Sequence, residues 1–316
     1  MSTGEVEEKL YPTLQDRLEY LLLRFLGIVA SLLPRFLAMA LAWLIGVMFF
    51  DILRIRRRVT ISNIQKAFPD EPPLWHRRTA RAAYVNLAVV SVEMLRARSL
   101  NASRVISLVH FDPDGERRLR QILDTGSGAV IVGGHYGTWE LLGARIAALG
   151  YPTIAIMQDQ RNPLMNRELN ETRGKLGLEV VERRAAPRRV IKTLNDGGLV
   201  LIVGDQDAGT DSGIFVDFFN RPASTTGGPA RFAVRSGAVF LGAWIHRENR
   251  GYRMGFDEIE KMEAVSSLAD DTDPEERIIR MTEAYMQWLE NRICIDPGQY
   301  LWLHRRWKSR PEGEQS

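Results

Sequence analysis

The sequence contains a single cysteine, Cys294. That excludes an intramolecular disulfide and any metal cluster built on thiolates, and it suits a reducing compartment. There is no Walker loop, no Gly-x-Gly-x-x-Gly fingerprint and no His-Glu-x-x-His zinc pair, so none of the usual phosphate, dinucleotide or zinc signatures is available. A Gly-x-Ser-x-Gly elbow is also missing, which leaves a serine-hydrolase reading without its nucleophile. Internal repeats and low-complexity segments are lacking too. No metal, no resident cofactor and no nucleic-acid partner are expected.

What is present is a chain of 316 residues, enough to bury a sizeable core. One catalytic domain over residues 59–316 with an N-terminal appendage over 1–58 is the favoured organisation. A hydrophobic fraction of 45% is ordinary for a folded protein and argues against disorder or a polytopic membrane protein. The net charge of +3 conceals clustering. Arg54, Arg56, Arg57 and Arg58 form one basic block, and Arg183, Arg184, Arg188 and Arg189 form another. Such blocks suit phosphates, anionic lipids or acidic proteins, with solvated helix faces as the plainer alternative.

From Leu21 to Leu33 the chain is almost wholly apolar, and after Pro34 and Arg35 a second run extends from Phe36 to Phe50. About fifteen residues falls short of the ~20 that a spanning helix needs, and Ile52 and Leu53 bring it only to the margin. A tilted span, a hairpin dipping into one leaflet, or a pair of core helices all fit. The acidic N-terminus, with Glu5, Glu7 and Glu8, argues against a cleaved signal peptide. The arginine block just after the second run puts that end, and the remainder of the chain, in the cytoplasm.

After a turn around Phe68–Pro73 and a helix over about Trp75–Arg98, short apolar runs alternate with helical patterns. Strands are expected at Ala129–Val132, Thr153–Met157, Glu179–Val181, Leu199–Val203, Val239–Trp244 and Tyr252–Phe256. Helices are expected at about Glu140–Leu149, Asn162–Leu176, Arg188–Asn195 and Gly228–Ser236. A final helix runs to about Asn291, capped by Asp273 with Pro274 in its first position. The alternation predicts an α/β fold with a mostly parallel central sheet flanked by helices.

The segment that carries chemistry is the strand ending at Val132 followed by Gly133-Gly134-His135-Tyr136-Gly137-Thr138-Trp139-Glu140. On a continuous helix His135 and Glu140 would stand about 140° apart and roughly 7.5 Å along the axis, too far to touch. If the glycines make the first residues a turn, the Glu140 carboxylate folds back onto the imidazole and a His–carboxylate pair results. That pair would let His135 take a proton from an alcohol, with N–H groups at the helix start free to meet an oxyanion or a phosphate. A satisfied loop histidine and a dipole-favoured glutamate are the plainer account of the spacing.

In its order of motifs the sequence resembles the bacterial lipid A biosynthesis acyltransferases, the lauroyl and myristoyl transferases of the wider lysophospholipid acyltransferase superfamily. The resemblance rests on the apolar N-terminus with its arginine block and Asn63, and on Gly134 to Glu140 as a His-x4-acid motif. It continues through Asn162-Pro163-Leu164 leading to Arg173, Gly204-Asp205-Gln206-Asp207, Phe215 to Phe219, Pro222 to Gly227, and the tail Tyr300 to Lys308. The resemblance implies transfer of a fatty acyl group from a thioester, on acyl carrier protein or coenzyme A as co-substrate, to a hydroxyl of a lipid A precursor at the inner membrane. Another glycolipid, phospholipid or aminolipid acceptor is the alternative. His135 is then the general base and Glu140 orients it. Gly137, Thr138, Arg173, Asp205, Gln206 and Asp207 are expected at the substrate. Acyl carrier protein, the lipid acceptor and an anionic membrane surface are the implied partners. Thr138, where the family often has Asn, and Gly227, where a third threonine is usual, depart from the pattern.

Overall fold

The computed structural model describes residues 12–182, 186–248, 251–259, 262–269, 271–311 and 313. Arg183, Arg184, Asn249 and the acidic N-terminus therefore lie outside the described residues.

The strands, in chain order, are β1 (Val109–Phe111), β2 (Ala129–Gly133), β3 (Thr153–Met157), β4 (Glu179–Glu182), β5 (Leu199–Val203), β6 (Gly213–Asp217), β7 (Pro222–Thr226), β8 (Val239–Glu248) and β9 (Gly251–Glu258). Seven of them make one sheet in the order β1-β9-β8-β2-β5-β3-β4. β8, β2, β5, β3 and β4 run parallel, while β9 is antiparallel to β8 and carries β1 parallel to itself. The α/β class with a mostly parallel sheet is what the alternating pattern predicts. Along β2 successive side chains serve opposite faces, as the pleat requires. Val130 and Val132 join one core cluster with the helix Pro274–Ile295, and Ala129 and Ile131 join another beneath the helix Trp139–Ala147. The long final helix starts as expected: the Asp273 carboxylate accepts the Glu275 and Glu276 N–H groups at 3.1 and 3.2 Å.

β1, the antiparallel hairpin β6–β7 and the helices Ala102–Leu108 and Pro113–Leu123 go beyond the sequence reading. The reasons are physical. β1 has only three residues, Val-His-Phe with His110 exposed, and β7 reads Pro-Ala-Ser-Thr-Thr, so β1 is too short and β7 too polar to show a strand pattern.

From β2 the chain leaves through the helix Trp139–Ala147 to β3, and two further crossovers return it to β5, between β2 and β3; β8 then lies on the other side of β2. The connections therefore diverge at the carboxyl ends of β2 and β5, the place where open α/β sheets bind ligands.

Ahead of the sheet, the helices Leu14–Leu32 and Arg35–Met48 lie against the helix Pro73–Ala97. Ala38, Ala42 and Gly46, four residues apart on one stripe, are buried. A Cβ on Gly46 would come 2.5 Å from Val85 Cα, so only glycine allows this approach. Arg35 in turn pairs with the buried Glu93 at 3.2 Å. The stretch Arg35–Leu53, 19 residues of mean hydropathy 2.3, is long and apolar enough to cross a membrane by length and composition. Its outward side chains are bare, with Phe36 71% and Ile52 72% exposed. The arginine block does not continue that helix. Arg54 and Arg56 both turn left-handed at φ 55°, and a new helix, Arg57–Ala67, begins there.

Candidate active site

Register builds the site. Gly133 of β2 pairs with Val203 of β5. Each strand is followed by a glycine, Gly134 and Gly204, and the next residues, His135 and Asp205, emerge side by side. The Asp205 carboxylate spans the loop. Its Oδ1 lies 2.6 Å from His135 Nδ1 and its Oδ2 accepts the His135 backbone N–H at 2.8 Å. With Nδ1 donating to the carboxylate, Nε2 is left as the basic nitrogen.

The carboxylate expected on His135 from the sequence was that of Glu140, and here the geometry differs. The turn ends at Thr138, the helix Trp139–Ala147 carries Glu140 in its first turn, and its carboxylate meets Arg173 instead. Arg173 Nε donates to Oε2 at 3.1 Å and Nη2 to Oε1 at 2.8 Å, a two-pronged ion pair. The Arg173 Nη1 group also donates to Asn170 at 3.2 Å. Glu140 acts on His135 through its charge without touching it.

Burial by itself would depress the His135 pKa. The charge and hydrogen bond of Asp205, with the charge of Glu140, outweigh burial and hold the imidazole above its usual value. For the buried Asp205, burial works to raise the pKa. The imidazole, the hydrogen bonds from His135 and the charge of Arg306 outweigh it and hold the carboxyl below its usual range. The two groups thus stabilise each other's charged forms.

Several further residues hold this arrangement, of which the sequence reading named only Asn63 and the tail Tyr300 to Lys308, as motif residues without a role. Tyr285 Oη donates to the Gly133 carbonyl at 2.6 Å and accepts the Gly204 N–H at 3.3 Å, clamping the two strand ends. The tail pins the loop: Gly137 N–H donates to the Gln299 carbonyl and Leu301 N–H to the His135 carbonyl, both at 3.0 Å. Asn86 Nδ2 donates to the carbonyls of Gly137 at 3.2 Å and Gln299 at 2.9 Å. Asn63, quoted for its motif alone, donates to the carbonyls of Trp302 and His304 at 2.9 and 2.6 Å. Arg306, buried, donates to the Ser224 carbonyl and Thr225 Oγ1. The tail's repeated polar and aromatic residues were the available signal for this strap.

A cavity of about 660 Å³ opens at His135, within the range of small-ligand sites. Its mouth is polar, with His135, Glu140, Arg173, Gln206 and Asp207. Its depth is apolar, passing Ile131, Leu142, Ala155, Leu178 and Leu201 between the sheet and the helix Trp139–Ala147. Trp139 sets its indole edge-on to the imidazole, centroids 5.0 Å apart. Three of the expected substrate residues, Arg173, Gln206 and Asp207, therefore line the space. Gly137 and Thr138 do not. Gly137 sits at φ +61° with Ile245 O 1.8 Å from where a Cβ would be, and Thr138 is fully buried. Asp207 is partly engaged, accepting from the backbone N–H and Oγ of Ser309 at 3.1 and 3.0 Å. Among the described residues no group of His, Cys, Asp and Glu could hold a metal ion.

A family model described as bacterial lipid A biosynthesis acyltransferase matches residues 8–309. The chain belongs to that family. It is 29% identical over 276 residues to the lipid A biosynthesis palmitoleoyltransferase of Escherichia coli (strain K12), covering 86% of this chain and 85% of that one. It is 27% identical over 277 residues to the lipid A biosynthesis lauroyltransferase of the same organism, covering 85% and 84%. Over 219 residues it is 23% identical to the phosphatidylinositol mannoside acyltransferase of Mycobacterium tuberculosis (strain ATCC 25618 / H37Rv), covering 68% and 66%. The protein is an acyltransferase acting on a lipid acceptor.

Proposed function

We propose that the protein transfers a fatty acyl chain from a thioester, delivered on acyl carrier protein, to a hydroxyl of a lipid A precursor, with His135 as general base and Asp205 as the residue that positions it. The observation that carries this reading is the Asp205–His135 pair at the mouth of a cavity that is polar outside and apolar within. The acyl chain lies in the apolar depth. The acceptor hydroxyl gives its proton to His135 Nε2 as its oxygen bonds to the thioester carbonyl carbon. The carbon–sulfur bond then breaks, and the leaving thiolate takes the proton back from the imidazolium. Arg173, held by Glu140 at the mouth of the cavity, faces the anionic headgroup of the acceptor. A related glycolipid of the phosphatidylinositol mannoside kind is the second reading, favoured by the similarity to that acyltransferase.

The site of action on this proposal is the cytoplasmic side of the inner membrane. The stripe of Ala38, Ala42 and Gly46 is committed to the catalytic domain, which favours a helix seated in the interface over an independent span. The exposed Ile52, Leu53 and Ile55 beside Arg54, Arg56 and Arg58 supply apolar insertion and attraction to anionic headgroups.

For the carrier, Arg189 is already tied to Glu179 at 2.6 Å. Arg188 and Arg235, without a carboxylate partner among the described residues, flank a surface cleft of about 430 Å³ with Ile191. Docking of an acidic carrier is assigned to that pair. Charge reversal at Arg188 and Arg235 is expected to raise KM for the carrier-bound donor, with salt mimicking the effect as the Debye length falls below ~8 Å, and to leave a coenzyme A thioester unaffected. Equal effects on both donors would remove the docking assignment. For the reaction itself, the test is His135→Ala in the full chain: transfer falls by about 10²- to 10⁴-fold with the fold intact, and a folded variant with near-normal turnover would overturn the mechanism.

A further inference from the structure

The catalytic nitrogen is covered. Gln206 Nε2 stands 3.3 Å from His135 Nε2, and because Nδ1 donates to Asp205, this contact is the Gln206 amide donating to the bare imidazole nitrogen. The side chain is exposed, lines the cavity and makes no other hydrogen bond among the described residues. Its backbone, by contrast, is fixed, since Asp205 on one side is bound to His135 and Asp207 on the other donates its N–H to His304 Nε2 at 3.0 Å.

An acceptor hydroxyl has to reach within about 3 Å of Nε2 to be deprotonated there. The Gln206 amide occupies that position, so it has to give way when the acceptor arrives. It can do so at little cost, having one hydrogen bond to lose, and its fixed neighbours keep its stem beside His135. The loop's own donors are partly spent: the N–H of His135 belongs to Asp205 and that of Gly137 to the Gln299 carbonyl. An exposed neutral donor held by a single hydrogen bond next to the base, with fixed residues on either side, is well placed for the charge that grows on the thioester carbonyl oxygen.

We propose that Gln206 is a further catalytic residue: displaced from His135 Nε2 by the acceptor hydroxyl, its amide N–H donates to the developing carbonyl oxyanion. As the hydroxyl oxygen bonds to the carbonyl carbon, its proton passes to Nε2 and the carbonyl electron pair moves onto oxygen, where Gln206 receives it. When the pair returns, the carbon–sulfur bond breaks and the thiolate leaves with the proton from His135. The inference rests on the acyl-transfer reading but not on the identity of the acceptor, because attack by water on the same thioester develops the same oxyanion.

The test uses the full-length protein with lauroyl-coenzyme A as donor, measured once with a lipid A precursor in detergent and once without acceptor, as slow thioester hydrolysis. Gln206→Ala and the similarly sized Gln206→Met are expected to lower kcat by about 10²- to 10³-fold in both assays, with KM for the thioester and the melting temperature unchanged. Loss of both reactions supports the oxyanion role. Unchanged or faster turnover in folded variants overturns it, since Gln206 would then only cover the base. If the lipid A precursor is not the acceptor, the first assay is silent for the unmodified protein while the hydrolysis assay still decides the role of Gln206.

Discussion

Replacing Asp205 by Asn separates the two functions of its carboxylate, and the structure says how. Oδ2 takes the His135 backbone N–H at 2.8 Å, and Oδ1 takes Nδ1–H at 2.6 Å. An asparagine has one acceptor oxygen, and the backbone N–H, which cannot change its role, claims it. The amide nitrogen is then turned toward Nδ1 and donates to it, so the ring proton is forced onto Nε2. The base has lost its lone pair in a site whose heavy atoms have hardly moved. A wrong-tautomer substitution of this kind in a Ser-His-Asp triad costs about 10⁴-fold in kcat, equivalent to about 5.5 kcal/mol. Asp205→Ala leaves the tautomer free to choose, so its loss is expected to be smaller, about 10²- to 10³-fold, even though it deletes more atoms. Glu140→Gln breaks the ion pair with Arg173 and leaves the imidazole its partner, with the main effect on KM for the acceptor. The assay is steady-state transfer from an acyl thioester with each folded variant, melting curves serving as the control. An order in which Glu140→Gln is the most damaging in kcat and Asp205→Asn the least would refute the assignment of Asp205.

Other consequences can be checked separately. His135 must be unprotonated to act as base, and its pKa is held above the usual value by Asp205. Activity is therefore expected to rise with pH, with a midpoint above ~6.5. In Asp205→Ala burial prevails and the midpoint moves down; an unmoved pH–rate profile would count against the pairing. Gly137→Ala, at φ +61° and 1.8 Å from Ile245 O, is expected to destabilise the fold by more than about 2 kcal/mol in denaturant titrations; a wild-type midpoint would contradict the geometry. Gly46→Leu meets the Val85 backbone, which cannot step aside as a side chain could. It should free the N-terminal helices and speed tryptic cleavage at Arg54 to Arg58, and unchanged cleavage would show that the helices are held elsewhere.

Much of this arrangement can be read before any coordinates. Runs such as Ala129 to Val132 and Leu199 to Val203 declare buried parallel strands because both of their faces are covered, and the glycines after them mark where the chain must turn. The partner of His135 is legible as well, but not locally. Glu140 is near in sequence, whereas Asp205 is near because β5 is the neighbour of β2, and strand order is a property of the whole topology. Gly134-His135 and Gly204-Asp205, each placed just beyond a strand's end, were the signal, and it takes the register Gly133 to Val203 to read it. Arg173 illustrates the same limit: its bond to Glu140 joins two helices that only the crossover through β3 brings together. The hairpin β6–β7 escaped because β6 offers an apolar run of only three residues, Ile214 to Val216, and β7 reads Pro-Ala-Ser-Thr-Thr.

The central claim, acyl transfer to a lipid hydroxyl by a His135-based site, is tested most directly by mass spectrometry of the lipid product. The purified protein is incubated with an acyl carrier protein thioester and a lipid A precursor, beside the folded His135→Ala variant. The precursor is expected to gain the mass of one ester-linked acyl chain with the unmodified protein and none with the variant. An unmodified precursor in both, with the thioester consumed by the native protein, would contradict the acceptor, and equal acylation in both would contradict the mechanism.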